Sequence, residues 1–306
     1  MNIAITGGTG LVGSALTGYF TAKGHHLFIL TRNTANKQDK ENITFVEWLQ
    51  DESVPEQKLT NIDVFINLAG ASLNSRWTKR RKKLILESRT NATREVIRII
   101  GELSYKPKVL INASAVGYYG VSKRAVFTES SPSENKDFLQ SVCEAWETEA
   151  AAAESAGVRT VYARFGLILD NKEGALPSIL LPYKLFAGGR IGSGEQWYSW
   201  VHLRDVVELI NFAIFCDQVK GALNVTAPCP EKMKNFGKTL AKTINRPHWL
   251  PVPAYFVHRL FGEMSTLITE GQKVIPRKAL SLGYHFSYPE LDEAFADLLE
   301  NTDDTA

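Results

Sequence analysis

Only three cysteines occur among the 306 residues, Cys143, Cys216 and Cys229. They lie far apart and form no CxxC pair. That excludes a disulfide framework and a thiolate zinc site, and it suits a reducing cytoplasm. His25, His26, His248, His258 and His285 are scattered. Apart from the adjacent pair at a strand start, none has metal-ligand spacing to a carboxylate or another histidine, so no metal is expected. The formal net charge is only +2, too small to suggest a nucleic acid or an acidic membrane as partner. No apolar run is long enough to span a bilayer. No basic leader with a cleavage site opens the chain, so no exported form is expected. Internal repeats and low-complexity tracts are also missing. At 44% apolar and 22% charged residues, the composition is that of an ordinary globular protein.

What is present is an alternation. Asn2–Thr6 ("NIAIT") is a short apolar run. "GGTGLVG" follows, then a stretch of helical periodicity that stops at Gly24, then the apolar run "HHLFILTR". This is the order and length of a βαβ unit. Further apolar runs recur at "ITFVEW", "DVFINLAG", "KVLINASAV" and "RTVYARFGLIL". Helical stretches over 79–101 and roughly 137–156 separate the later ones. Continuous apolar runs alternating with helices predict a doubly wound parallel α/β sheet of the Rossmann type. After Arg164 the chain turns to Gly, Pro and aromatic residues, then one more strand ("GALNVTAP") and several helices. We therefore expect a dinucleotide-binding domain over 1–165. Cleft insertions, a last sheet strand and a small, mainly helical C-terminal cap would fill 166–306, the helical module spanning about 249–297. The tail 301–306 ("NTDDTA") is expected to fray.

Gly7, Gly10 and Gly13 stand between strand and helix. Such a triplet serves a tight turn, close backbone approach to a pyrophosphate, and close helix–strand packing. The phosphates would sit on the N-terminal amides of the helix, around Thr9, Leu11 and Val12. At the end of the second strand, where an acidic residue would select NAD, the sequence has Arg32. A guanidinium pairs well with a 2′-phosphate, so NADP(H) is expected over NAD(H). "NLAG", ending in Leu68, Ala69 and Gly70, closes the fourth strand where a nucleotide would pass.

"TGGTGLVG", "NLAG", "SAVGYYG" and "RFGLIL" together resemble the extended short-chain dehydrogenase/reductases of the NAD-dependent epimerase/dehydratase superfamily. The stretch from "LPVPAYF" to "DEAFADLL", with "SR" at Ser88–Arg89, is similar to an atypical nucleoside-diphosphate-sugar epimerase-like branch that carries a C-terminal module of uncharacterised function. The resemblance implies a sheet of about seven strands, bound NADP(H) and a substrate cleft between sheet and cap, and much less about the reaction. We expect an NADP(H)-dependent oxidoreductase or epimerase-like enzyme acting on a small polar substrate, nucleotide sugars among the candidates. The alternative is an NADP(H)-binding sensor or interaction protein with little turnover. Either form is expected as a monomer or homodimer.

In that superfamily a strand-end serine orients the reacting oxygen. A Tyr-x-x-x-Lys pair on the next helix moves the proton. Ser114 fits the serine. Tyr119 and Lys123 have the right spacing, but they fall in a loop-like stretch ahead of the helix "DFLQSVCEAWETEAAAAESAG", which has neither residue at the expected place. Tyr118, Cys143 and Glu144 are the further proton-transfer candidates. For substrate contact the candidates are Arg76 and Trp77 before the second long helix, and Trp200 and His202, the latter three residues before Asp205. Arg89 is placed to reach the cofactor phosphates or a buried carboxylate. The basic run Lys79–Lys83 is expected to be the solvated first turn of a helix.

Overall fold

The computed structural model describes residues 1–133 and 137–300; the expected fraying of the 301–306 tail lies outside them. Seven parallel strands form the central sheet: β1 (Asn2–Thr6), β2 (His26–Thr31), β3 (Ile43–Glu47), β4 (Val64–Asn67), β5 (Val109–Ala115), β6 (Arg159–Phe165) and β7 (Gly221–Val225). Their order across the sheet is β7-β6-β5-β4-β1-β2-β3. The direction of winding reverses between β1 and β4, so a crevice opens there at the carboxyl edge.

The strands are apolar throughout because both faces are covered. Ile3, Ile5, Leu27 and Ile29 point into one core with Leu16 and Phe20 of α1 (Leu11–Ala22). Ala4, Phe28, Leu30 and Phe65 point into the other, against Ala92, Val96, Ile99 and Ile100 of α2 (Lys79–Glu102). Odd and even residues of one strand thus enter different layers, as the pleat requires. Helix α3 (Phe138–Ala151) lies beside α2. Helix α4 (Leu176–Lys184) precedes α5 (Leu203–Phe215), which joins α1 on the first face.

Beyond the sheet, α6 (Met233–Thr243) gathers Phe236 and Leu240 into a third core with Phe295 and Leu298. Those two residues belong to the last helix, and Trp200 shares the cluster. Residues 254–281 contribute three short helices, α7 (Ala254–Phe261), α8 (Thr266–Thr269) and α9 (Arg277–Ser281), with α10 (Leu291–Glu300) after them. A two-residue strand, Lys273–Val274, runs parallel to Val126–Phe127 and ties this part to the loop after β5. No helix among the described residues is long and apolar enough to cross a membrane.

Candidate functional site

The three glycines of the first turn differ in what they do. Gly7 has φ +67°, and a Cβ there would lie 2.8 Å from the Leu68 carbonyl oxygen. At Gly13 a Cβ would approach the Gly7 carbonyl oxygen to 2.3 Å. The protein's own packing therefore demands both. Gly10 is different. Its φ is −85°, which any residue adopts, and a Cβ would meet only the Gly7 oxygen at an ordinary 3.5 Å. Nothing among the described residues requires glycine here. The unfilled space lies over the start of α1, whose N-cap makes no side-chain hydrogen bond, so its first amides are free to take an anion. This is the shape a pyrophosphate needs.

The turn is backed by a buried polar ladder across the sheet. The Thr6 hydroxyl donates to Asn67 Oδ1 at 2.7 Å and accepts from the amides of Leu68 (3.1 Å) and Ala69 (3.2 Å). Asn67 Nδ2 donates to Asn112 Oδ1 at 2.6 Å and to the Thr93 hydroxyl at 2.9 Å. All four ladder residues are at most 0% exposed. An unpaired polar group at this depth is costly, so the ladder fixes the "NLAG" turn against the glycine turn. Arg32 stands exposed at the end of β2, its carbonyl held by Gln50 Nε2 at 2.9 Å. Lys37 shares a cleft with Gly8 and Thr9.

The other half of the carboxyl edge is built from charge. Ser114, at the end of β5, donates to Glu147 Oε1 at 2.6 Å. Arg164 of β6 grips the same carboxylate in two places, Nε to Oε1 at 2.8 Å and Nη2 to Oε2 at 2.7 Å. Its Nη1 donates to the Tyr119 hydroxyl at 2.9 Å, which in turn donates to Asn224 Oδ1 at 2.7 Å. The Arg164 guanidinium also lies 3.4 Å from the ring centre of Tyr118, which is half-buried. Tyr119 is fully buried. Burial pushes its hydroxyl up to about 12 against the opposing pull of Arg164. The Lys123 side chain is exposed, while its carbonyl accepts from Trp197 Nε1 at 3.2 Å. The ammonium takes no part in the set around Tyr119 among the described residues.

On α3 the places one turn apart belong to Cys143 and Glu147. Cys143 is buried beside Ser114, and burial, with the charge of Glu147 adding to it, raises its thiol to about 12. It is a neutral S–H at physiological pH. Glu144 accepts from the Ser133 hydroxyl at 2.7 Å. Glu147, Arg164 and Asn224 were not foreseen from the sequence. Two signals pointed to the first two: Glu147 follows Cys143 by four residues on a helix, and Arg164 is a charge inside an apolar strand.

The remaining candidates sit as follows. Trp77 is buried with Ile85, Val142 and Met264, its Nε1 donating to the Leu73 carbonyl at 3.1 Å. Arg76 is exposed against the backbone of Gly262. Trp200 is fully buried and donates to the Cys229 carbonyl at 2.9 Å. His202 caps α5, Nδ1 accepting from the Arg204 amide at 3.0 Å, with Nε2 3.2 Å from Asp297. Burial lowers its pKa, partly opposed by Asp297. Asp205 accepts from the amides of Ser287 (2.7 Å) and Tyr288 (2.9 Å). Trp77, Trp200 and His202 are thus buried in packing and capping contacts in this structure. Arg89 leans on Gly70 and lies 5.0 Å from the Trp146 ring centre. No cluster of three metal-ligating side chains occurs among the described residues.

The family model described as the NAD dependent epimerase/dehydratase family matches residues 3–225, and a domain of unknown function, DUF1731, matches 252–298. The epimerase family protein YfhF of Bacillus subtilis is 51% identical over 299 residues, covering 98% of both chains. Among solved structures, the human epimerase family protein SDR39U1 with NADPH superimposes with a TM-score of 0.87 at 32% identity, over 98% of this chain and 100% of that one. A nucleoside-diphosphate sugar epimerase from Corynebacterium glutamicum gives 0.78 at 30% identity, over 98% of this chain and 58% of that longer one. The chain belongs to the NAD dependent epimerase/dehydratase family.

Proposed function

We propose that this protein binds NADP(H) along the β1–β4 crevice and uses it in an oxidation–reduction or epimerisation of a small polar substrate, such as a nucleotide sugar, in the cytoplasm. The observation that carries the reading is Gly10, a glycine that the protein's own packing does not need and a pyrophosphate does. The amides of Leu11 and Val12 would hold the diphosphate, with Thr9 at the rim. Leu68, Ala69 and Gly70 would flank the nucleotide. Arg32 would meet the 2′-phosphate. The bound nicotinamide would supply hydride acceptance and donation.

At the reacting end the chain supplies Ser114. Its single proton is committed to Glu147, so its lone pairs are left to accept from a substrate hydroxyl. A proton arriving on Ser114 Oγ would pass on to the Glu147 carboxylate, held in place by Arg164. This does the work of the Tyr–Lys pair with different groups. A second reading has its own support. Ser114, Tyr119 and Cys143 are 2%, 0% and 4% exposed, and they are closed on one another, as suits an NADP(H)-binding sensor with little turnover.

The test mixes purified protein with NADPH or NADP+ and a panel of nucleotide sugars and carbonyl compounds, following cofactor absorbance and product identity. Turnover that Ser114→Ala abolishes supports the enzyme. Tight NADPH binding without turnover supports the sensor. Absence of binding to either nicotinamide dinucleotide sinks both. For Arg32→Ala, NADPH affinity should fall about tenfold or more, the scale of a lost charge-assisted contact, while NADH affinity holds. Equal losses would contradict the NADP(H) assignment.

A further inference from the structure

The basic run before and within the first turn of α2 is not uniform. Lys82 pairs with Glu263, and Lys83 lies 3.7 Å from Glu87. Lys79 and Arg80 face solvent. Arg81 instead turns inward and donates through Nη2 to the Ser72 carbonyl. Two turns along the same helix, Arg89 donates through Nη1 to the Ala71 carbonyl at 3.1 Å and to the Ile85 carbonyl at 3.0 Å. Consecutive carbonyls of one loop thus hold two guanidiniums, which brings two positive charges together just past the "NLAG" turn.

Neither arginine has an ion-pair partner among the described residues. A carbonyl satisfies a hydrogen bond but does not neutralise a charge. Arg81 Nε is buried without a partner, and so is the hydroxyl of Ser75 in the same loop. Arg89 spends one of its three nitrogens on the protein. Its guanidinium packs on the bare Cα side of Gly70, where a Cβ would stand 3.1 Å from Cζ. Burial, with Arg81 adding to it, disfavours the charge on Arg89. Two adjacent, partly desolvated like charges are costly unless an anion joins them. A guanidinium pair with free donors matches the oxygens of a phosphate.

We propose that Arg81 and Arg89 form a binding site for a phosphate group of the small molecule that lies beside the dinucleotide. This deepens the reading above and rests on it for the dinucleotide's place. Loop stapling alone would need neither the second cation nor the unpaired Nε.

The experiment measures inorganic pyrophosphate binding by calorimetry on protein already saturated with NADPH, with malonate as a carboxylate comparison. Pyrophosphate should bind the loaded protein. Arg81→Gln should weaken it at least tenfold with NADPH affinity unchanged. Arg81→Lys, which keeps the charge and loses the fork, should fall between and serves if the glutamine variant does not fold. Pyrophosphate binding that is equal in wild type and variants, absent, or displaced by NADPH overturns the proposal. So does a site that takes malonate and refuses pyrophosphate. If NADPH does not bind but pyrophosphate binds and depends on Arg81, the dinucleotide reading fails and the anion site stands.

Discussion

The two halves of the carboxyl edge are built on opposite plans. Around the glycine turn, in front of its buried polar ladder, space is left unfilled: helix amides with no side-chain cap, an empty Cβ position at Gly10, an exposed Arg32. Around Ser114 the hydroxyls of Ser114 and Tyr119 and the Arg164 guanidinium are spent inside the protein, on Glu147, Asn224 and Tyr119. The first half is shaped for something the chain does not contain. The second is shaped chiefly by its own charges. Fold likeness to epimerases therefore transfers well for the first half and poorly for the second.

The largest effect should come from cutting the second half. Glu147→Gln leaves Arg164 buried without its anion and should cost about 3–5 kcal/mol of stability, read by denaturant unfolding. A loss under about 1 kcal/mol would show that Arg164 finds water. Within the glycine turn the contrast is internal. Gly13→Ala forces backbone against backbone and should cost about 1–3 kcal/mol along with dinucleotide binding. Gly10→Ala should leave stability within about 0.5 kcal/mol yet weaken NADPH at least tenfold by titration. If both variants behave alike, the distinction between packing glycine and ligand glycine collapses. The smallest effect belongs to Lys123→Ala. It should change stability by no more than about 0.5 kcal/mol and leave NADPH binding untouched. A large loss of turnover there would restore the Tyr-x-x-x-Lys reading.

This contrast follows what a sequence carries. The parallel sheet was readable because buried strands are unbroken apolar runs, and Asn2–Thr6 through Arg159–Phe165 show them. The glycine turn was readable because its residues are neighbours. The division of labour among its glycines was not, since it depends on which backbone atoms come near a missing Cβ. The Ser114 network joins residues from β5, α3, β6 and β7, far apart in sequence, and only the sheet order brings them together. For Tyr119 and Lys123 the neighbouring glycines already pointed to a loop. Their spacing copies a helical motif, but the backbone there is a short 3₁₀ turn over Val116–Tyr119 followed by loop. The inward turn of Arg81 was equally hidden, because a run of cations gives no sign of which one leaves the solvent.

One earlier feature bears on how the site comes into being. The loop after β5 is fastened by residues that arrive late in the chain. Tyr119 bonds Asn224 across 105 residues, and Gln272 bonds the Val116 carbonyl across 156. Closing such distances is entropically slow compared with winding α1 beside β1. The glycine turn can therefore form from local contacts, whereas the reacting end needs closures over long stretches of chain, the longest made where the strand at Lys273–Val274 pairs with Val126–Phe127. The C-terminal module thus adds the most distant clasp to a loop that Arg164, Trp197 and Asn224 already hold.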